Sequence, residues 1–572
     1  MEYYIAYHSN GRFPGERRSA TRIERAGMSV SGEQVYSNAQ GMALCCGRLR
    51  NGYQLSNELN ADDGASAAQL AMMAYARWGD DYARHLQGPV LSCICDTERD
   101  RMLVSRDHMG EISAFYARCG GEAALSDHPD ALLAAGIAEP VMGRDGLCEL
   151  FGLGPACTPG RTPLCDIKSV RMGCTMIFER QSVHETRYFE LPNAISEVDP
   201  EAAAVQVRTL LEQAIDDIAP LRPGCMLSGG IDSTALTALV AARMPGVKSF
   251  SVDYQDNARD FIANAFRPEM DAPYARMAAE HLRTRHTTIV LRQDDLAGAI
   301  DEAQAARGFP GMADIDSSLL LFARAIGRQV GHVVSGECGD EVFGGYPWFQ
   351  GDGRAHGEAF PWSGSIDLRN GILKPAVREK IGLPAYVRGA YHEAMASYDV
   401  SNVPPAERDL FRLQRLCFDF FMPNLQERAS KMCAAAGIQV YTPLCDDRLV
   451  SAVYAMPWRV KRMGGISKGL YRAAVRDLLP EKLLQRKKSP YPKTCSADYT
   501  AEIRRRMGAL LRDASAPLWQ TIDAERVAQI AAGALSPADA PWYGQLMAGP
   551  QMLAYLLQVN DWMTQNRIEI DI

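Results

Sequence analysis

At 572 residues the chain is longer than the ~250–300 residues at which single hydrophobic cores stop growing, so two or more domains are expected. An apolar content of 47%, with 23% charged residues and a net charge of −8, describes a soluble globular protein and argues against a general nucleic-acid or membrane surface. No apolar run reaches the ~20 residues of a membrane helix, and Met1-Glu2-Tyr3-Tyr4 does not open a basic-then-apolar leader, so neither a span nor a signal peptide is expected. The fifteen cysteines are scattered and lack the C-x₂-C spacing of a zinc site; they read as free thiols in a reducing cytoplasm.

Residues 1–190 read as short strands with turns and few long helices. Strands are expected at 1–7 and 40–50, and an amphipathic helix at 67–78 with Ser66 placed to cap it. Residues 89–96 and 101–106 alternate around Thr97-Glu98-Arg99-Asp100 and predict a hairpin. Strands at 174–178 and 185–189 close this half, and the polar run 191–200 is the expected linker. From Glu201 the texture becomes α/β: a helix at 202–218, a strand at 225–227, a strand at 249–253, a helix at 272–281, and strands at 287–290 and 331–334. That alternation predicts a parallel sheet with its ligand at the carboxyl ends of the strands. Residues 350–370 are polar, Gly-rich and aperiodic and are expected to form a mobile loop over the site, while 405–480 are helical.

Two glycine-rich runs carry the chemistry. The first, Gly224-Cys225-Met226-Leu227-Ser228-Gly229-Gly230-Ile231-Asp232-Ser233-Thr234, joins a short apolar strand to a helix through a tight turn, with Ser233 and Thr234 as the expected N-cap residues. Unpaired N–H groups and the helix dipole make such a turn a phosphate site. It is not a Walker A loop, because Asp232 occupies the place of the lysine; a carboxylate beside a phosphate cradle calls for Mg²⁺ between them. The run Ser228 to Ser233 resembles the pyrophosphate loop of enzymes that split ATP into AMP and pyrophosphate while activating a carboxyl or carbonyl group. The second run, Ser335-Gly336-Glu337-Cys338-Gly339-Asp340-Glu341-Val342-Phe343-Gly344-Gly345-Tyr346, places three carboxylates among glycines at a strand end, where Mg²⁺ or a cationic substrate would be their partner.

Together the two runs resemble the synthetase domain of the asparagine synthetases. The likeness extends through Arg267-Pro268-Glu269-Met270-Asp271, Pro310-Gly311-Met312-Ala313-Asp314, Tyr441-Thr442-Pro443-Leu444-Cys445-Asp446, Arg486-Lys487-Lys488-Ser489-Pro490-Tyr491 and Pro541-Trp542-Tyr543-Gly544. It implies ATP and Mg²⁺. Ser228, Gly229, Gly230 and Ser233 would hold the phosphates, with Ser335 and Gly336 completing the nucleotide site and Leu227 and Val252 bordering the adenine. Asp232 and Asp340 match the Mg²⁺ positions, Glu337 the carboxylate that takes a proton from attacking ammonia, and Lys488 the lysine that steadies charge on the adenylate. Relatives of the β-lactam synthetase kind carry Tyr at the place of Glu337, so Glu337 favours an intermolecular nitrogen nucleophile. The implied reaction is activation of the aspartate side chain as β-aspartyl-AMP and its conversion to asparagine.

Residues 1–190 resemble the glutaminase half of the same enzymes in a worn form, carried by Arg106-Asp107-His108-Met109-Gly110 with Phe115-Tyr116 and by residues 152–160. The fold implied is an α+β Ntn-hydrolase-like sandwich over 1–190, followed over 200–572 by a pyrophosphate-loop α/β domain with a parallel sheet and a helical C-terminal part. The working glutaminase uses an N-terminal Cys; here position 2 is Glu2 and the first cysteine is Cys45. Glutamine hydrolysis is therefore expected to be lost. The substrates implied are aspartate and ammonia or a precursor peptide, as in the lasso-peptide cyclases; a separate ammonia-supplying glutaminase and a homodimer are compatible with the likeness. A non-catalytic ATP-binding partner is the remaining reading.

Overall fold

Met42-Ala43-Leu44-Cys45-Cys46 is apolar at every position, so a strand made from it has to be covered on both faces. The computed structural model, which describes residues 3–7, 21–261, 263, 269–350, 359–364, 366–494, 496–533, 542–544 and 546–572, covers it in that way. The Gly41–Gly47 strand lies in an antiparallel six-stranded sheet ordered Val183–Arg187, Cys174–Phe178, Arg101–Ser105, Val90–Asp96, Gly41–Gly47, Gln34–Ser37. Met42, Leu44 and Cys46 face a second antiparallel sheet through Tyr3, Ile5, Tyr7, Met28 and Val30, whereas Ala43 and Cys45 face the Gly52–Leu59 and Ala67–Trp78 helices through Leu55, Leu70 and Ala71. The strict period of two thus gives a sheet–sheet–helix layering. Ser66 caps the Ala67–Trp78 helix, accepting from the Gln69 amide at 3.2 Å. The Val90–Asp96 and Arg101–Ser105 hairpin forms as the alternation predicts.

The second sheet runs Ile167–Ser169, Phe115–Cys119, Glu122–Ser126, Tyr4–Tyr7, Met28–Gly32, Thr21–Arg25. All described cysteines are free thiols, and those of the strands, exposed Cys119 apart, are core residues; burial pushes the Cys45 thiol up to about 12.

The chain divides into two compact units, and each borrows a segment from the other's stretch of sequence. The first holds Met1–Glu149, Cys157–Leu191 and Asn566–Ile572; the second holds Leu150–Ala156 and Pro192–Gln565. In the first unit, the Glu569–Asp571 strand pairs in parallel with Val141–Gly143.

The second unit is built on a five-stranded parallel sheet ordered Arg285–Leu291, Lys248–Tyr254, Gly224–Met226, His332–Val334, Gln439–Tyr441. The earliest strand is central, and the chain winds outward first to one side and then to the other. Such an order opens a crevice at the carboxyl ends of the two strands where it reverses, Gly224–Met226 and His332–Val334. Both glycine-rich runs begin there. One face of the sheet is covered by the Asp314–Gly327 and Met422–Ala435 helices through Leu319, Leu320, Phe322, Ala429 and Met432. Helices also dominate 408–474. The expected mobile loop falls partly on 351–358 and 365, outside the described residues; its described remainder includes buried Phe360 and Trp362 and the start of the Ile366–Gly371 helix. Among the described residues no helix is long and apolar enough to cross a membrane.

Between the two sheets of the first unit, Gly32 leaves the space that Leu44 fills: a Cβ on Gly32 would lie 2.4 Å from Leu44 Cδ1. Gly32→Ala is therefore expected to cost about 1–3 kcal/mol. Introduced into a Leu44→Ala background it should cost far less, and urea unfolding of the two single variants and the double variant measures the difference.

Candidate active site

Leu227 continues the central strand, its amide donating to Phe250 O at 2.7 Å, and the chain then turns at Ser228-Gly229-Gly230. Gly229 has φ +74°, and a Cβ there would lie 2.4 Å from the Ala275 amide nitrogen, so neither the conformation nor the space admits a side chain. The helix that follows is Ile231–Arg243, with extended Gly230 at its N-cap position. This corrects the expected cap. Ser233 and Thr234 lie within the first turn, and their hydroxyls turn back on Gly230 O at 3.2 and 2.7 Å. Ser233 Oγ also accepts from the Ser228 amide at 3.2 Å, which closes the loop on itself and leaves the first N–H groups of the helix pointing into the crevice.

Asp232 enters from this first turn, and Asp340 from the short Gly339–Phe343 helix that follows the His332–Val334 strand. The two runs touch because Gly339 has no side chain; a Cβ on it would stand 2.8 Å from Asp232 Cγ. Lys468 Nζ lies between the acids, 2.5 Å from Asp232 Oδ2 and 2.6 Å from Asp340 Oδ1, and Lys488 donates to Asp340 Oδ2. Burial raises the Asp232 carboxyl and the Lys468 cation offsets this only in part, so it stays above the ordinary range. Burial would raise Asp340 too, but Lys468 and Lys488 outweigh it and hold that carboxyl down at about 2. Among the described residues no group of three or more His, Cys, Asp or Glu side chains could hold a metal ion. Asp232 Oδ1, however, is a buried carboxylate oxygen with no hydrogen-bond partner among them, the kind of donor Mg²⁺ takes.

The three carboxylates of the second run have separate fates. Glu337 meets Arg428, whose Nη2 donates to Oε1 at 2.5 Å. Cys338 has φ +74°, a left-handed turn that sends Glu337 and Asp340 different ways. Glu341 needs neither Mg²⁺ nor a cationic substrate. It turns inward, 1% exposed, and accepts from Tyr346 OH at 2.6 Å; burial, with Asp340 adding, pushes it up to about 8. The Tyr346 ring lies 4.8 Å from Lys488 Nζ, a cation–π contact. Arg486 donates to Asp271 and, at 3.1 Å, to Ser228 O, tying down the phosphate loop from outside.

Asp232, Asp340, Glu337, Tyr346, Arg428, Arg486 and Lys488 line one cavity of about 200 Å³, with Lys468 and Glu341 not among its lining residues. From the first run it takes Leu227, Ser228, Gly230, Asp232 and Ser233, and from the Lys248–Tyr254 strand it takes Val252. The second run adds Ser335, Gly336, Glu337 and Asp340, and Lys488 comes from the C-terminal part. Gly229 lies beneath, packed on Tyr274. Lys487, the neighbour with which Lys488 could be confused, is exposed. Sequence reading missed Lys468, Arg428 and Arg486. Lys468 sits alone in Ile466-Ser467-Lys468-Gly469, with no local sequence signal to mark it; in the structure its backbone is left-handed (φ +56°).

A parallel sheet whose switch point carries a glycine loop at a helix N-terminus, two acids and two lysines is the arrangement of a nucleotide-dependent ligase. Comparison with known proteins agrees. Residues 206–564 match the asparagine synthase family model and residues 19–189 the glutamine amidotransferase domain model. The chain is 34% identical over 540 residues to asparagine synthetase [glutamine-hydrolyzing] 3 of Bacillus subtilis, covering 92% of this chain and 87% of that one. It is 23% identical to a putative asparagine synthetase [glutamine-hydrolyzing] of Mycobacterium bovis, over 78% of this chain and 74% of that one. It is 22% identical to the Gallus gallus asparagine synthetase [glutamine-hydrolyzing], over 78% and 69%. The chain belongs to the asparagine synthase family, ligases that form amide bonds at the expense of ATP.

Lys468→Met strands Asp232, since Asp340 keeps Lys488, and is expected to cost about 3–5 kcal/mol of stability. Adding Asp232→Asn should restore much of it, because the uncompensated charge goes with the acid; denaturant unfolding at pH 7 reads both.

Proposed function

We propose that the chain makes asparagine from aspartate and ammonia, passing through β-aspartyl-AMP and releasing AMP and pyrophosphate, and that its front unit does not hydrolyse glutamine. The observation that carries this reading is the convergence, on one cavity, of the phosphate loop, the Asp232–Lys468–Asp340–Lys488 cluster and Glu337.

The N–H groups at the start of the Ile231–Arg243 helix and the Ser228 and Ser233 hydroxyls bind the phosphates, while Leu227 and Val252 flank the adenine. Asp232 and Asp340 are the residues that would hold Mg²⁺, which supplies charge neutralisation at the pyrophosphate. The aspartate side-chain carboxylate attacks the α-phosphorus, forming the acyl-phosphate bond and breaking the bond to pyrophosphate. Lys488, positioned by Asp340 and the Tyr346 ring, steadies the negative charge that builds up in this step and in the collapse that follows. Ammonia then attacks the acyl carbon, AMP leaves with the bonding pair, and Glu337, oriented by Arg428, takes the proton.

For the front unit, the family's nucleophile is a Cys ahead of the first strand. Here Met1-Glu2-Tyr3 leads into Tyr4–Tyr7, with Glu2 itself outside the described residues, and a carboxylate forms no thioester. The free thiols suit a reducing cytoplasm, where ammonia or a separate glutaminase would supply nitrogen.

Incubation with ATP, Mg²⁺, aspartate and either ammonium or glutamine, following pyrophosphate and asparagine, tests the whole. Asparagine is expected from ammonium and not from glutamine; asparagine from glutamine would sink the reading of Glu2. In Glu337→Gln, amide formation should fall about 10²–10⁴-fold while aspartate-dependent ATP–pyrophosphate exchange persists.

A further inference from the structure

The cations around the cavity are not equally engaged. Arg486 is taken up by Asp271 and Ser228 O, Lys468 by Asp232 and Asp340, and Lys488 by Asp340. Arg428 is different. It is 2% exposed, lines the cavity, and holds its guanidinium over the Tyr491 ring with Cζ 4.8 Å from the centroid. Only Nη2 is engaged, on Glu337; Nε and Nη1 are buried without a hydrogen-bond partner among the described residues. The other acid that acts on it, Asp316, gives Oδ2 to Arg307 at 3.2 Å and to the Met312 amide at 2.9 Å.

A contact to Glu337 alone needs one N–H, and a lysine would make it. A planar guanidinium, fixed on an aromatic ring and buried with donors left over, is arranged for an anion that arrives. The group to be activated belongs at the phosphate loop beside Lys488, so the anion at Arg428 is a different one. Resting on the reading that this cavity activates a carboxyl group, we propose that Arg428 binds a second carboxylate of the acyl substrate. The substrate is then a free dicarboxylic amino acid. An aspartyl side chain within a peptide is excluded, because its main-chain carboxyl is already an amide.

The test is ATP–pyrophosphate exchange without ammonia, in which proton transfer to Glu337 plays no part. Aspartate is compared with its α-carboxamide, which keeps the side-chain carboxylate, in the wild-type enzyme, Arg428→Gln and Arg428→Lys, with thermal melting and ATP binding as folding controls. Wild type should show a KM for the α-carboxamide about 10–100-fold above that for aspartate, the size of a charged hydrogen bond lost. In Arg428→Gln the two KM values should converge at the higher one, and Arg428→Lys should fall between. An α-carboxamide used as well as aspartate, or a preference undiminished in Arg428→Gln, would overturn the assignment and leave the adenylation reading standing. Exchange with an internal aspartyl peptide but not with aspartate would overturn the assignment and the asparagine product together. Exchange with none of these acids would overturn adenylation itself, and the assignment with it. Should Arg428→Gln fail the folding controls, Arg428→Lys decides, its preference for aspartate over the α-carboxamide falling below that of wild type.

Discussion

Two carboxylates taken out of water side by side cannot both stay ionised without cations, and the ligase unit is organised around meeting that need. Asp232 and Asp340 sit at the ends of neighbouring strands. Their counter-ions come from far along the chain, Lys468 236 residues after Asp232 and Lys488 148 residues after Asp340. Neither glycine loop is electrostatically complete until the helical C-terminal part has folded onto the sheet. The cluster is also lopsided: two lysines serve Asp340 and one serves Asp232, which is why burial wins at Asp232 and loses at Asp340.

Support for the cavity's charged groups lies one layer deeper. Lys488 is aimed by Asp340 and by the Tyr346 ring, Tyr346 by Glu341, and Glu341 by its burial. A carboxyl pushed up to about 8 is mostly protonated at neutral pH, so Glu341 adds little charge beside Asp340 while still fixing the tyrosine. Three acids within five residues thus do three different jobs, and the left-handed turn at Cys338 separates the first from the others.

How much of this the sequence revealed follows from how local each signal is. The Ser228–Ser233 loop and the Glu337–Asp340 run were legible because strand, glycine turn and helix start are written within a dozen residues, and four of the five strands of the parallel sheet followed from alternation; the short edge strand Gln439–Tyr441 was hidden in a stretch that reads as helical. Lys468 was not legible, since its only purpose is met across the fold. Arg428 was harder still: Asn424-Leu425-Gln426-Glu427-Arg428 reads as a solvated helical face, yet Asn424, Gln426 and Arg428 are buried because both sides of the Met422–Ala435 helix are covered. The capping rule failed at Ser233 because an extended glycine ended the turn three residues earlier. In the first unit most strands of the Gly41–Gly47 sheet could be found, but of the second sheet only Tyr4–Tyr7, and the order could not be: Tyr4–Tyr7 lies between Glu122–Ser126 and Met28–Gly32, and only the second of these is near it in sequence.

The Glu569–Asp571 strand, pairing with Val141–Gly143, makes the first unit wait for the second. During synthesis at ~5–20 residues per second, the two sandwich sheets can form early, yet the Val141–Gly143 edge stays unpaired for the more than 400 residues that precede its partner. The ligase unit must emerge, and largely fold, while that edge is open. The last strand therefore acts as a clasp: the unit made first is the one finished last.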